Sequence, residues 1–95
     1  MIIKNSFKLS ILIPCFNEKN SIDKIVSKIL LSLKNYELNN YEIIIVDDFS
    51  NDGTKEILEK YKTKENFKIL FHDKNQGKGA AIQTAIKNIT GDISI

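Results

Sequence analysis

Ninety-five residues make one small domain or part of a larger one, too few for two independent cores. The chain is 42% hydrophobic and 27% charged, with one Pro and four Gly, which excludes a disordered linker, a collagen and a coiled coil. Its net charge of +2, from 14 basic and 12 acidic residues, is too even to point to nucleic acid or a membrane surface.

All 14 basic residues are Lys. Without Arg there is no bidentate fork for a phosphate, so an anion must be held by backbone N–H groups, by Lys or by a metal. Cys15 is the single cysteine, which rules out a disulfide within the chain and suits a reducing compartment. The N-terminus has no apolar core of a signal peptide. The longest apolar runs are about five residues, against the roughly 20 of a membrane helix.

The segment Leu9-Ser-Ile-Leu-Ile-Pro14 predicts a buried strand over residues 8–14, closed by a Pro that cannot donate to a ladder. A polar loop, Cys15 to Asn20, leads to a helix capped by Asn20 or Ser21, with Asp23 in its first turn. Ile22, Ile25, Val26, Ile29, Leu30 and Leu33 form its apolar stripe. Tyr41-Glu-Ile-Ile-Ile-Val46 predicts a second strand, and its apolar run marks burial on both faces, as in a parallel sheet. After the polar segment Asp47 to Thr54 comes a short helix with Ile57, Leu58 and Tyr61 inward. Phe67 to Phe71 predicts a third strand, and His72 to Gly79 a glycine-containing loop. A third helix is expected over Ala80 to Asn88, stopped by Gly91, and a fourth strand begins at Asp92.

Strands and helices alternate, β-α-β-α-β-α-β, which specifies an α/β fold with a parallel sheet, right-handed crossovers and helices on both faces. The last strand has no helix after it, so residues 1–95 are expected to be the N-terminal part of a longer domain. Ligands of such sheets sit at the carboxyl ends of the strands. Three polar loops reach that edge: Pro14 to Asn20, Asp47 to Thr54 and His72 to Gly79.

Asp47 and Asp48 are the sharpest feature there. Neighbours on a strand point to opposite sides, so the two acids should divide their work. One can accept from a base or ribose, while the other braces the loop or lies near a cation. The spacing alone leaves a plain turn equally open, since Asp, Ser, Asn and Gly are all turn formers. Gly77-Lys78-Gly79 opens a helix, where backbone can approach a phosphate and Lys78 adds a point charge. It is neither a P-loop nor G-x-G-x-x-G, and a flexible turn with a solvated lysine fits it as well. Asn17 is expected to hold its loop, and Glu18 to face a ligand or the start of the helix. His72 has no Cys or His partner, and reads as a loop or surface histidine rather than a ligand. Cys15 reads as a small buried thiol.

In order, Ile11-Leu-Ile-Pro-Cys-Phe-Asn-Glu18, Ile44-Ile-Val-Asp-Asp-Phe-Ser-Asn-Asp-Gly-Thr54, Asn75-Gln-Gly-Lys-Gly-Ala-Ala81 and Thr90-Gly-Asp92 resemble the start of a family 2 glycosyltransferase of GT-A fold. The branch it resembles is that of the polyprenyl-phosphate (dolichyl-phosphate) mannose and glucose synthases. The resemblance implies a Rossmann-like sheet and transfer of a sugar from a UDP- or GDP-sugar to a lipid-phosphate or saccharide acceptor. It implies that Pro14, Phe16 and Glu18 contact the nucleotide, that Val46 and Asp48 hold base and ribose with Asp47 beside them, and that Gly77 and Lys78 shape the nucleoside pocket. Asp52 and Thr54 match positions expected to be structural. Phe49 stands where many relatives carry Gly or Ser.

The family's Asp-x-Asp motif, which holds Mg²⁺ or Mn²⁺, is expected beyond Ile95, together with the acceptor side. No catalytic residue and no metal ligand is therefore assigned within residues 1–95. This segment alone is expected to bind a nucleotide weakly and not to catalyse transfer. The complete protein is expected in the cytoplasm or at the cytoplasmic face of a membrane, attached only through later segments. Two other readings are a non-catalytic nucleotide-binding remnant and a receiver-like signalling module. A receiver, however, carries its acid pair after the first strand, not the second.

Overall fold

Burial of the second strand organises the molecule. Ile43, Ile44, Ile45 and Val46 have no exposed surface, so this strand has to lie in the middle of a sheet covered on both sides. The computed structural model describes residues 7–95 and shows that arrangement. The elements are β1 (Leu9–Cys15), α1 (Ile22–Asn35), β2 (Tyr41–Asp47), α2 (Thr54–Glu59), β3 (Phe67–Phe71), α3 (Lys78–Ile86) and β4 (Ile93–Ser94). The strands run parallel in the order β3-β2-β1-β4.

Residue parity along β2 sets up the two layers. Ile43 and Ile45 pack with Ile11, Ile13, Cys15 and Ile69 against Ile22, Val26 and Leu33 of α1 and Leu58 of α2. Ile25, Ile29 and Leu30 complete the helix stripe expected for α1. Ile44 and Val46 turn the other way, onto Ala81 and Ala85 of α3, with Leu12, Leu70 and Ile89 around them. Small residues on α3 let that helix lie close to the sheet.

The expected elements are present in the expected order, with differences at their ends. α3 begins at Lys78, two residues earlier than the apolar pattern suggests, and closes at Ile86. Tyr61 lies beyond the end of α2, in the following turn, and still packs on the core and stacks on Phe67. Ser21 is the N-cap of α1, yet its hydroxyl donates to the Glu18 carboxylate and makes no capping bond.

The motif Thr90-Gly91-Asp92 fastens β4 to β1. Lys8 N–H donates to Asp92 Oδ2 at 2.9 Å, and Gly91 N–H to Ser10 Oγ at 3.0 Å. A Cβ on Gly91 would lie 2.8 Å from the Lys8 carbonyl oxygen, so glycine is required by close approach. Beneath it Glu42, 2% exposed, takes hydrogen bonds from the Ser10 hydroxyl, the Thr90 N–H and the Thr90 hydroxyl. The Lys68 ammonium stands 3.1 Å from the same carboxylate. This polar cluster closes the amino-terminal end of the sheet, opposite the loops that carry the candidate site.

Candidate functional site

Strand order 3-2-1-4 reverses direction at β1, and the crevice of such a sheet opens beyond the carboxyl ends of the strands there. A cavity of about 360 Å³ lies at that place, lined by Pro14, Cys15, Phe16, Glu18, Asp48, Asn75, Gly77 and Lys78. Six of the eight residues singled out in the sequence line it. The other two, Val46 and Asp47, are fully buried and do not.

The division between the two acids follows from parity. Asp47 points to the α1/α2 side. Its carboxylate accepts the Ser50 N–H at 3.0 Å and the Ser50 hydroxyl. Ser50 Oγ in turn accepts the Asn17 N–H at 2.8 Å, and Asn17 Oδ1 accepts the Asn51 N–H at 2.9 Å. Asp47 thus laces the β2–α2 loop to the β1–α1 loop. Asp52 and Thr54 add to the lacing. Thr54 N–H and hydroxyl bond Asp52 Oδ1, and Thr54 Oγ1 accepts the Glu18 N–H at 2.9 Å. Phe49 follows the two acids in the left-handed region, at φ 65°, and stays half-exposed under the Lys55 ammonium.

Asp48 points to the α3 side and forms the wall of the cavity. It is 3% exposed and accepts three bonds: Gln76 N–H at 2.9 Å and the His72 ring at 2.8 Å on Oδ1, and Gly77 N–H at 2.8 Å on Oδ2. Burial by itself would raise its pKa. The bonds from Gln76, His72 and Gly77 outweigh burial and hold the carboxyl below its ordinary value, so Asp48 is ionised and accepts only. A carboxylate has about four acceptor positions, and three are filled, so one is left without a donor among the described residues, on a side chain that lines the cavity.

The glycine loop is used differently from the sequence expectation. Gly77, at φ 98°, turns its N–H onto Asp48 rather than leaving it free for a phosphate. The anion nearest the start of α3 is the protein's own carboxylate. Lys78 lines the cavity and supplies its one positive charge among the described residues.

His72 departs furthest from expectation. It is neither exposed nor on a free loop: it is 8% exposed, with ring Nδ1 on Asp48 and ring Nε2 2.8 Å from Thr84 Oγ1 of α3. Neither His72 nor Thr84 stands out in sequence, because Asp48 lies 24 residues from His72 and Thr84 lies 12 residues from it, and no spacing rule links them. Asn75, in sequence only part of the loop, also lines the cavity. Cys15 is the buried thiol expected. Burial, then the charges of Asp47, Glu18 and Asp52, push its pKa up to about 12, so it is not a nucleophile at neutral pH.

Among the described residues no group of three or more His, Cys, Asp and Glu side chains is placed to hold a metal ion. Asp47 is consumed by Ser50 and Asp48 by three donors, so these acids do not offer the open oxygen set a divalent cation needs. Among the described residues no helix is long and apolar enough to cross a membrane.

The glycosyltransferase AglE of Haloferax volcanii is 37% identical over 86 residues, covering 90% of this chain and 28% of its own. A dolichyl-phosphate beta-glucosyltransferase of Trichomonas vaginalis is 37% identical over 93 residues, 93% of this chain and 29% of its own. The chain therefore spans under a third of the length of these curated relatives. Among solved structures, Staphylococcus aureus TarS in complex with UDP superposes with a TM-score of 0.74 at 31% identity, over 93% of this chain and 26% of that one. A mannosyltransferase of Pyrobaculum calidifontis, solved with GDP-Man and Mn²⁺, shares the fold, with a TM-score of 0.75 at 23% identity over 93% of this chain and 26% of that one. The crevice, the Rossmann-like sheet and the order of the loops thus agree with a family model, glycosyl transferase family 2, that matches residues 10–95: the chain belongs to that family.

Proposed function

We propose that residues 7–95 form the donor-nucleotide half of a sugar transferase. The complete protein moves a hexosyl group from a UDP- or GDP-sugar to a lipid-phosphate or saccharide acceptor. The observation that carries this is the single open acceptor position on an ionised Asp48, set in a 360 Å³ cavity at the switch point of the sheet. That position suits one N–H of a base or one ribose hydroxyl. Phe16, half-exposed at the rim, offers an apolar surface to a base, and Lys78 offers a charge to the phosphates. Two named likenesses support the reading: the relative named for dolichyl phosphate and glucose, and the solved structure that holds UDP.

In this reading Pro14, Phe16, Glu18, Asp48, Gly77 and Lys78 face the nucleotide, while Val46 and Asp47 act behind them by fixing β2 and its loop. The Mg²⁺ or Mn²⁺ that the family resemblance implies takes its carboxylates from outside the described residues, and would stabilise the leaving diphosphate there. The chain's own part is to bind the nucleoside end, orient it and exclude water from Asp48. The reaction belongs to the cytoplasm or the cytoplasmic face of a membrane. The strand order 3-2-1-4 disfavours the signalling alternative, since flavodoxin-like receivers use 2-1-3-4-5.

The reading is checked by supplying the full-length protein, as its gene encodes it, with UDP-glucose, UDP-N-acetylglucosamine or GDP-mannose and a polyprenyl phosphate. Divalent-metal-dependent release of UDP or GDP with one donor class is expected, abolished by chelation. No nucleotide release with any donor, metal and acceptor would sink it.

A further inference from the structure

We propose that His72, anchored by Thr84, is a positioning residue that fixes the rotamer and the one open acceptor position of Asp48 toward the nucleotide. The inference rests on the reading of the crevice as a nucleotide site and adds a residue pair to it.

His72 follows β3, and its own N–H continues the β2–β3 ladder to the Asp47 carbonyl at 2.8 Å. The ring cannot swing away without breaking two bonds of 2.8 Å, one to Asp48 Oδ1 and one to Thr84 Oγ1. An ionised Asp48 can only accept, so ring Nδ1 carries the proton. Ring Nε2 is hydrogen-bonded to Thr84 Oγ1 at 2.8 Å, which completes a chain from α3 through the ring to the carboxylate. No other side chain donates to the Asp48 carboxylate among the described residues; its remaining donors are the backbone N–H groups of Gln76 and Gly77, while the Asn75 amide reaches only the Asp48 backbone carbonyl, at 3.5 Å. Those two N–H groups lie on the loop that must admit the ligand. The His72–Thr84 pair ties Asp48 instead to a strand and a packed helix, whose Ala81 and Ala85 are buried. Rigid support from secondary structure is what keeps a binding group within the narrow geometry its ligand needs.

The experiment is a calorimetric titration of UDP and GDP into the full-length protein and its His72→Leu, His72→Asn, Thr84→Val and Asp48→Asn variants, with melting temperatures alongside. An Asn amide can replace the Nδ1 donor. The His72→Leu protein is expected to lose about tenfold in affinity for the preferred nucleotide, Thr84→Val less, and His72→Asn to recover most of it. In the wild type, an imidazole ¹⁵N spectrum is expected to show a protonated Nδ1 whose signal moves on nucleotide addition. A folded His72→Leu protein that binds like wild type, while Asp48→Asn binds weakly, overturns the inference and leaves the nucleotide site standing. If His72→Leu does not fold, Thr84→Val and His72→Asn decide: wild-type affinity in Thr84→Val with an unshifted Nδ1 signal overturns it. If the wild type binds neither nucleotide, the site reading fails and the inference falls with it.

Discussion

Glu42 lies buried at the amino-terminal end of the sheet, away from the cavity. Burial by itself raises its pKa. The bonds from Ser10, Thr90 and Lys68 more than offset burial, and the carboxyl is pushed down to about 2 from 4.5. A depressed carboxyl contributes stability that is full above the unfolded value and fades as pH falls through the folded one. The window is therefore pH 4.5 down to about 2. A shift of that size corresponds to roughly 3 kcal/mol between the two protonation states, an upper bound given the half-exposed lysine. Glu42→Gln is expected to cost about 2 kcal/mol in urea denaturation at pH 7, and the gap from wild type should narrow below pH 4.5 and close only below about pH 2. A gap unchanged across that range would refute the assignment. Cys15 gives a second residue-scale expectation. With its pKa pushed up to about 12 and 3% exposure, it should react with a disulfide reagent at least ~100-fold more slowly in the native protein than in denaturant. Neither residue's role was legible in sequence alone to the same degree. Cys15 was readable as buried because it ends an apolar strand. Nothing local marks Glu42, since its partners lie 32 and 48 residues away. His72 failed for the same reason: burial of a polar side chain is decided by long-range partners, which local pattern does not display.

At the scale of elements, the β1–α1, β2–α2 and β3–α3 loops are held as a set. Their order and approximate ends were legible from period and turn residues: a β-branched run closed by Pro14, the 3.6-residue stripe of α1, the Asp-Gly and Gly-Lys-Gly breaks. Which glycine serves which purpose was not. Gly77, at φ 98°, aims its N–H at Asp48, whereas Gly91 makes room for the β1 backbone. Gly77→Ala is expected to destabilise by about 1 kcal/mol through left-handed strain, and to weaken nucleotide binding more than that loss explains, because Asp48 loses an aligned donor. Gly91→Ala should act the other way round: a loss of about 2 kcal/mol or more from overpacking against Lys8, with binding intact in the folded fraction. Thermal melts paired with nucleotide titration separate the two. Equal effects on stability and binding in both variants would refute the division.

Over the whole molecule, the two ends of the sheet have distinct jobs. The amino-terminal end is closed by Glu42, Ser10, Lys68 and the Thr90-Gly91-Asp92 clasp. The carboxyl-terminal end is opened into a cavity by parity: odd Asp47 goes into the bracing of loops, even Asp48 into the wall. Parallel, doubly covered architecture was readable from alternation and from the four apolar residues of β2. The order 3-2-1-4 was not, because crossover direction and strand neighbours are set by packing of helices that periodicity alone does not place. The family resemblance in four ordered motifs supplied what the physical pattern lacked, and its residues converge on one cavity except where the chain turns them into the core.

Asp48 is the proposed donor-nucleotide contact on which the function turns. The most direct measurement is a calorimetric comparison of UDP and GDP binding to the full-length protein and to Asp48→Asn, with matched melting temperatures. The account predicts one nucleotide bound by the wild type and an affinity at least about tenfold lower in the variant, since its amide leaves the open position without a charged acceptor. Equal affinity in a folded Asp48→Asn protein would contradict it.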